Sequence, residues 1–514
     1  LSRRALWAIA GLCVLVRLPT LWMSPSCDEA IFATVGNVWL RHGGLPYRDA
    51  VENKPPGVFL VYGLSRVLVG SPFAGPRMLA ALAAAWTGVS VARIAEALAG
   101  GTAGLVAGAA FGVLSAGAFT PLAYSDAFLL PFCAFAVVLA LRGLRDSAQS
   151  GRSAAGAGVC LGVAWLFKQV ALADALAVGL GFVMMGRGWR RRLGWLLVGL
   201  LAPPAIAVAY FWQQGILADA YQCIVGLVGS GATVHEGLGI AAWRREAAKI
   251  GAVTVPFVLG AAWLLARGKA WSDLRARVLL TTWLVLTLAA ALGARRFAPN
   301  QLLQPLPALC ALGSAGLTGA WAGIWRRGAL ARAAVLVLVL AVVGGASLQA
   351  PRYLRAMRRM SGQDDADVEA RQIAQLIRKD TSFGDPIYVA DLDSRIYVYA
   401  DRRPAFRVFN VIFTRVPALR HATVRALQAA PPKYLVVQPR RLGEPRLALE
   451  DLAPLIEQQY EPVVTLGPTS VRVYRRVDKS CRLVSDGGRW CVGWVRREPG
   501  WAPLAHAARP RVGG

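Results

Sequence analysis

Two adjacent acids, Asp28 and Glu29, follow the first apolar stretch of the chain, and Asp49 and Glu52 stand shortly before Lys54-Pro55-Pro56. A carboxylate at a water–lipid boundary can accept a proton from a hydroxyl, and a nearby cation can neutralise an anionic leaving group. Further charges sit where later apolar runs turn. These are Asp126 in "TPLAYSDAFLLPF", Lys168 in "WLFKQVAL", and Arg295 and Arg296 in "GARRFAPNQLLQPLP". Ionisable groups at such depth are costly and mark function by default. A snorkelling lysine or an internal ion pair accounts for any one of them taken singly. Four such positions on one face argue for a common site.

The elements that must position these groups are membrane helices. The chain has 514 residues, of which 56% are hydrophobic, and a mean hydropathy of +0.46. That is too much apolar surface for a soluble domain. The net charge is +28, from 57 Lys+Arg against 29 Asp+Glu. Its arginines flank apolar runs, where they orient helices and meet anionic headgroups, so no nucleic-acid partner is expected. The eight cysteines are scattered and no CxxC pair suggests zinc or redox work. Cys481 and Cys491 could bridge in an oxidising compartment.

The run near 5–23, after Ser2-Arg3-Arg4, begins like a signal peptide but lacks a small-residue cleavage pattern, so it reads as a retained helix. Further runs recur near 77–95, 103–121, 127–142, 154–168, 170–186, 193–212, 249–266, 278–293, 301–323 and 331–349, giving eleven crossings. Arg3/Arg4, Arg93, Arg142/Arg145/Arg152, Arg187/Arg190/Arg191/Arg192, Arg267/Lys269/Arg275/Arg277 and Arg326/Arg327/Arg332 then share the N-terminal side. The positive-inside rule makes that side cytoplasmic. This holds if 57–70, short and interrupted by Arg66, lies in the outer interface with an amphipathic helix over 30–41. The basic stretch 351–360 falls outside, against the charge bias.

The expected architecture is therefore a polytopic α-helical membrane protein of about eleven transmembrane helices and two outer juxtamembrane helices, with a small extracytoplasmic α/β C-terminal domain. Residues 1–350 form the membrane module, with the first outer loop at 24–76; 351–478 form the α/β domain; 479–514 read as a disordered tail. In the α/β domain a helix is expected from 365, strands at "PIYVAD", "KYLVVQP" and "SVRVYRR", and a helix near 415–429. The glycine-rich loop 213–248 reads as a mobile flap that orders on ligand binding. Tyr47 is expected to pack against the Gly43-Gly44/Pro46 turn, and His42 and His235 to be solvated.

The segment "CDEAIF…LRHGGLPYRDAVENKPPG" resembles the first outer loop of the protein O-mannosyltransferase/aminoarabinose-transferase group, glycosyltransferases of the C superfamily that use polyprenyl-phosphate sugars. The acidic pair is matched by Asp28-Glu29, "GGxPYRD" by Gly43 to Asp49, "KPP" by Lys54 to Pro56, the second acidic site by Asp126, and the "FKQ" turn by Lys168-Gln169. "RRFAPNQLLQPLPAL" is similar to the late "RF…HYxLQLLPPL" element, although Asn300 and Gln301 replace His-Tyr. Asn53 stands where the aminoarabinose transferase has an acid implicated in a metal site, so no metal is assigned. Asp28, Glu29, Asp49 and Glu52 are nonetheless hard oxygen ligands of the kind that hold Mg²⁺ or Mn²⁺.

The resemblance, over about residues 5–475, implies transfer of a sugar from a polyprenyl-phosphate donor to an acceptor hydroxyl. The acceptor is a lipid, a glycan or a protein, and the location is the outer face of a bacterial plasma membrane. The transition state should be oxocarbenium-like and a single displacement would invert the anomeric centre. Asp28 is the expected base, Asp126 an aid to acceptor or oxocarbenium, and Glu29 an alternate. Lys54, with Lys168, Arg295 and Arg296, is expected to contact the donor phosphate. Two rival classes remain on composition alone: a lipid or glycan transporter or flippase, for which no internal repeat is evident, and an inactive membrane assembly protein.

Overall fold

The computed structural model describes residues 1–119, 122–146, 149–184, 186–229, 240–266, 273–293, 299–324, 365–391, 393–437, 449–466 and 471–477. Its N-terminal part is a helical module: α1 (Arg3–Leu15), α2 (Cys27–Leu40), α3 (Gly57–Leu68), α4 (Ala74–Ala99), α5 (Gly101–Leu114), α6 (Ser125–Arg145), α7 (Ser150–Trp165), α8 (Ala171–Val183) and α9 (Trp189–Gln213). Longer helices follow at Ile240–Ala266, Leu274–Gly293 and Leu306–Ile324. Among the described residues, five stretches are long and apolar enough to cross a membrane: Arg3–Trp22, Ala74–Ala99, Ser125–Arg145, Trp189–Gln213 and Leu274–Gly293. Each run from 5–23 to 301–323 that was expected to cross forms a helix; the run 331–349 and the stretch 351–360 lie outside the described residues.

Two expectations are corrected. The helix expected over 30–41 as an amphipathic interfacial element is α2, and it is buried nearly all round: Glu29 through Val38 are all buried. Its cover comes from α3 and from a later helix, Arg395–Ala400. The α2–α3 crossing depends on two missing side chains. A Cβ on Gly36 would lie 2.6 Å from Gly63 N, and one on Gly63 would lie 2.7 Å from Gly36 O, so only glycine permits this approach. By contrast, α3 keeps Leu60, Leu64, Val67 and Leu68 exposed on one side, as an interfacial helix would.

The second correction concerns the flap. Residues 217–229 form the short helix Leu217–Tyr221, a π-turn at Gln222–Gly226 and a further turn at Leu227–Gly229, with Ile216, Ala220 and Cys223 buried. These three join the core beside the first loop, whereas Leu217, Tyr221, Val225 and Val228 stay exposed. Residues 240–248 belong to the helix Ile240–Ala266, whereas 230–239, with His235, lie outside the described residues.

The C-terminal part opens with the helix Asp365–Lys379, acidic in its first turn and basic in its last, the arrangement its dipole favours. A four-stranded sheet follows in the order β1 (Ile387–Ala390), β2 (Tyr434–Val437), β4 (Val471–Arg476), β3 (Tyr460–Leu466). β1 and β2 are parallel; β4 is antiparallel to both β2 and β3. One face, including Tyr388, Leu435 and Val437, packs on Leu452 and Leu455. The other, including Ile387, Val389 and Val436, joins one continuous core with Tyr47, Val51 and Phe59 of the first loop. Residues 478–514, including Cys481 and Cys491, lie outside the described residues.

Candidate active site

The amino end of α2 is built by a capping box. Ser26 Oγ accepts from Glu29 N, and Glu29 Oε2 accepts from Ser26 N at 3.0 Å. That geometry satisfies two otherwise orphan amides and fixes the helix start so that neighbouring acids diverge. Asp28 is exposed, and Glu29 is fully buried. Glu29 meets Arg77 of α4 in a two-pronged pair, Nε to Oε1 at 2.9 Å and Nη2 to Oε2 at 2.7 Å. Arg77, itself buried, also donates to the carbonyl of Thr20 at 2.6 Å. Ala123 N donates to Glu29 Oε1 at 3.3 Å, and the Tyr62 hydroxyl donates to Ala123 O at 2.8 Å. Glu29 therefore ties the exit of α1, the starts of α2 and α4, and the segment before α6. Arg77 was read from sequence only as part of an apolar run.

The rest of the first loop folds into a turn anchored at Tyr47. This residue has φ of +67°, uncommon and strained for a bulky side chain, and its surroundings hold it there. Its N–H donates to Ala50 O at 2.9 Å, its hydroxyl donates to Lys54 O at 2.9 Å, and its carbonyl accepts from Arg407 Nη2 at 2.7 Å. Asp49 closes the turn by accepting from Leu45 N at 2.7 Å. Tyr47 is thus fully buried and packs edge-on against Phe59 and Phe211.

Beyond the turn, Asn53 to Gly57 docks on the α7–α8 connection. Gly57 N donates to Leu166 O at 2.8 Å, and the Gln169 amide donates to Asn53 O at 3.3 Å and to Ile224 O at 3.2 Å. That connection presents Lys168, whose ammonium lies 2.7 Å from Asp126 Oδ1 at the start of α6. Lys54 Nζ donates to Asn53 Oδ1 at 2.9 Å. Lys54, Lys168 and Asp126 are therefore carried by three segments that touch one another.

Glu52 joins this group to Asp28. Burial raises its carboxyl above the ordinary range; the charge of Lys54 and hydrogen bonds from Asn53 N and Asn410 Nδ2 oppose this, and the charge of Asp28 adds to it. Asp28, Glu52 and Lys54 thus lie within electrostatic reach. Asn410 belongs to the C-terminal part, as does Arg407, which bridges Tyr47 O and Asp219 at 2.9 Å. Arg41 grips Asp401 through Nε at 2.9 Å and Nη2 at 2.6 Å. The α/β part is therefore a wall of the candidate site, a role that no spacing rule in the chain assigns.

His42, expected to be solvated, is half-buried and stacks on Phe383 with ring centroids 4.4 Å apart; that burial pushes its imidazole below the usual range. Arg295 and Arg296 lie outside the described residues. Among the described residues no group of three or more His, Cys, Asp and Glu side chains is set to hold a metal ion. Of the four first-loop acids, Glu29 is taken by Arg77 and Asp49 by its own turn.

Residues 53–212 match the dolichyl-phosphate-mannose-protein mannosyltransferase family. The fold is shared with ArnT from Cupriavidus metallidurans bound to undecaprenyl phosphate, with TM-score 0.62 and 16% identity over 93% of this chain and 99% of that one. It is shared also with the archaeal oligosaccharyltransferase AglB from Archaeoglobus fulgidus, in complex with an inhibitory peptide and a dolichol-phosphate (TM-score 0.54, 12% identity, 94% of this chain, 75% of that one). A third likeness is to arabinofuranosyltransferase AftD from Mycobacteria (TM-score 0.57, 17% identity, 93% of this chain, 40% of that one). No curated protein matches by sequence. The family match runs from the first-loop lysine through α9, and the fold over more than nine-tenths of the chain is shared with these three glycosyltransferases.

Proposed function

We propose that the chain transfers a sugar from a polyprenyl-phosphate donor to an acceptor hydroxyl, by a single inverting displacement at the outer face of a bacterial plasma membrane. The observation that carries this reading is the placement of Asp28. It is an exposed carboxylate at the start of α2, in electrostatic reach of Glu52, which in turn feels Lys54. An exposed base and a cation thus both act on one buried acid of the first loop. The proposal includes eleven crossings, with the first loop and the α/β part outside.

In this mechanism Asp28 takes the acceptor proton as the hydroxyl attacks the anomeric carbon. The bond from that carbon to the phosphate oxygen breaks, and charge gathers on the departing polyprenyl phosphate. Lys54 and Lys168 are aimed at that charge, where preorganised cations lower the barrier most. Asp126 holds the Lys168 ammonium while leaving its other two hydrogens to point elsewhere. Glu29 works through Arg77, fixing the direction of Asp28, and so is a positioning residue.

Membranes containing the wild type or Asp28→Asn would be given radiolabelled polyprenyl-phosphate sugars. Loss of the base should lower turnover by about 10²- to 10⁴-fold with donor binding kept. Equal transfer by both removes Asp28 from this role. No transfer by either, across mannosyl, arabinosyl and aminoarabinosyl donors, overturns the reading.

A further inference from the structure

We propose that the ends of α4 and α6 remote from the candidate active site form a second binding site, for the phosphate of an anionic ligand. A cavity of about 560 Å³ opens between these ends; Arg93, Glu96, Arg142 and Arg145 line it, over a floor that includes Val138 and Leu141. Arg77 and Arg93 are sixteen residues apart on α4, as are Asp126 and Arg142 on α6. At 1.5 Å per residue, each helix separates the cavity from the active-site end by about 24 Å. The two sites therefore lie at opposite ends of the same pair of helices, and nothing in the transfer reaction uses this one.

Its charge is unbalanced. Arg93 Nη1 donates to Glu96 Oε2 at 2.9 Å, which compensates the one carboxylate of the lining. Arg145 Nη2 donates to the carbonyl of Ala97 at 2.8 Å. Arg142 is exposed and has no acceptor among the described residues. Arginines in the last turn of α6 suit its dipole, but that does not require a third guanidinium from α4 to face them across open space. Guanidinium groups converging on a gap match the oxygens of a phosphate. The apolar floor suits a phosphate with an apolar stem beside it, as in an anionic phospholipid of the leaflet on the N-terminal side; free phosphate shares the headgroup chemistry alone.

The test uses the full chain purified in dodecyl maltoside. Retention of radiolabelled phosphatidylglycerol and of phosphatidylcholine is measured in micelles, and binding of inorganic phosphate alone by equilibrium dialysis. The wild type is compared with Arg142→Gln/Arg145→Gln and with Arg190→Gln/Arg191→Gln, which removes equal charge elsewhere. The wild type should retain phosphatidylglycerol over phosphatidylcholine. The first variant should retain it about tenfold less or weaker still, and the second should match the wild type. Competition by inorganic phosphate, with direct binding lost in the same variant, supports the site with a free anion as its ligand. Should the double variant fail to elute as a single folded species, Arg142→Gln alone, at an exposed position, is expected to give about a threefold loss. Equal binding of both labelled probes by wild type and Arg142→Gln, or no preference for phosphatidylglycerol together with no phosphate binding, overturns the proposal.

Discussion

Lys168 and Asp126 meet at 2.7 Å, joining the α7–α8 connection to the first turn of α6. Their side chains are 16% and 2% exposed, so the acid is the deeper partner and the ammonium keeps one side open. A cation placed this way is steadied by the acid and still available to an anion.

The pair predicts coupled energetics. Lys168→Met alone leaves Asp126 buried without a counter-charge and should destabilise the chain by about 3–5 kcal/mol. Adding Asp126→Asn should restore part of that loss, since the unpaired charge is gone. Thermal unfolding in detergent across the double-mutant cycle reads the coupling. Both Lys168 variants should also raise the donor KM. A purely additive cycle with unchanged KM would make the contact incidental.

Adjacent acids should fail in different ways. Glu29→Gln strips Arg77 of its counter-ion and should cost about 3–5 kcal/mol of stability. Asp28→Asn removes an exposed charge at a helix start, a change of about 1 kcal/mol or less, yet it should lower turnover by about 10²- to 10⁴-fold. Measuring the melting temperature and turnover of both variants separates a positioning acid from a reacting one. The reverse pattern would exchange their roles.

The depth of Asp126 and Lys168 was legible in the chain because burying charge is costly and both stand against apolar flanks, whereas Asp28 is read from its place after an apolar run and Lys54 from the resemblance alone. What no spacing rule supplies is partnership. Glu29 pairs with Arg77, and Arg41 with Asp401, whose partner position is 360 residues away. The all-round burial of α2 follows from that distant cover, so the polar positions that made 30–41 look amphipathic face protein. β3 was missed for another reason. Pro462 interrupts "YEPVVTL", and proline is tolerated there because β3 is an edge strand with an irregular register at Pro462/Val464. The helices were legible from apolar length; the sheet's edge and the docking of the α/β part were settled by contacts.

Glu52 gives a pH signature. Its folded carboxyl is raised, chiefly by burial, so the folded state binds a proton that the unfolded state has already released. Stability from this group is present below the ordinary glutamate range, about 4.3, and is lost as pH rises through the folded value. The melting temperature of the wild type minus that of Glu52→Gln should therefore fall with rising pH across that window and level off above it. A difference that rises instead would mean that Lys54 and Asn410 outweigh burial.

Gly57 tests whether docking of the lysine turn matters to the donor. A Cβ at this position would sit 2.7 Å from the backbone oxygen of Leu166 and 3.2 Å from the Phe167 ring. The nearer obstacle is main chain and cannot rotate aside, so Gly57→Ala must push the Asn53–Gly57 segment off the α7–α8 connection. Gly57 N then loses its bond to Leu166 O, and Gln169 its reach to Asn53 O. Lys54 moves with that backbone and Lys168 does not, so the two cations no longer address one phosphate. The expected outcome is a donor KM raised about tenfold, the loss of roughly one charge-assisted hydrogen bond, with acceptor KM unchanged. Gln169→Leu, which removes only the side-chain tie, should shift the same parameter by less. Donor and acceptor saturation curves for both variants measure the split, and an effect confined to acceptor KM would detach Lys54 from the donor phosphate.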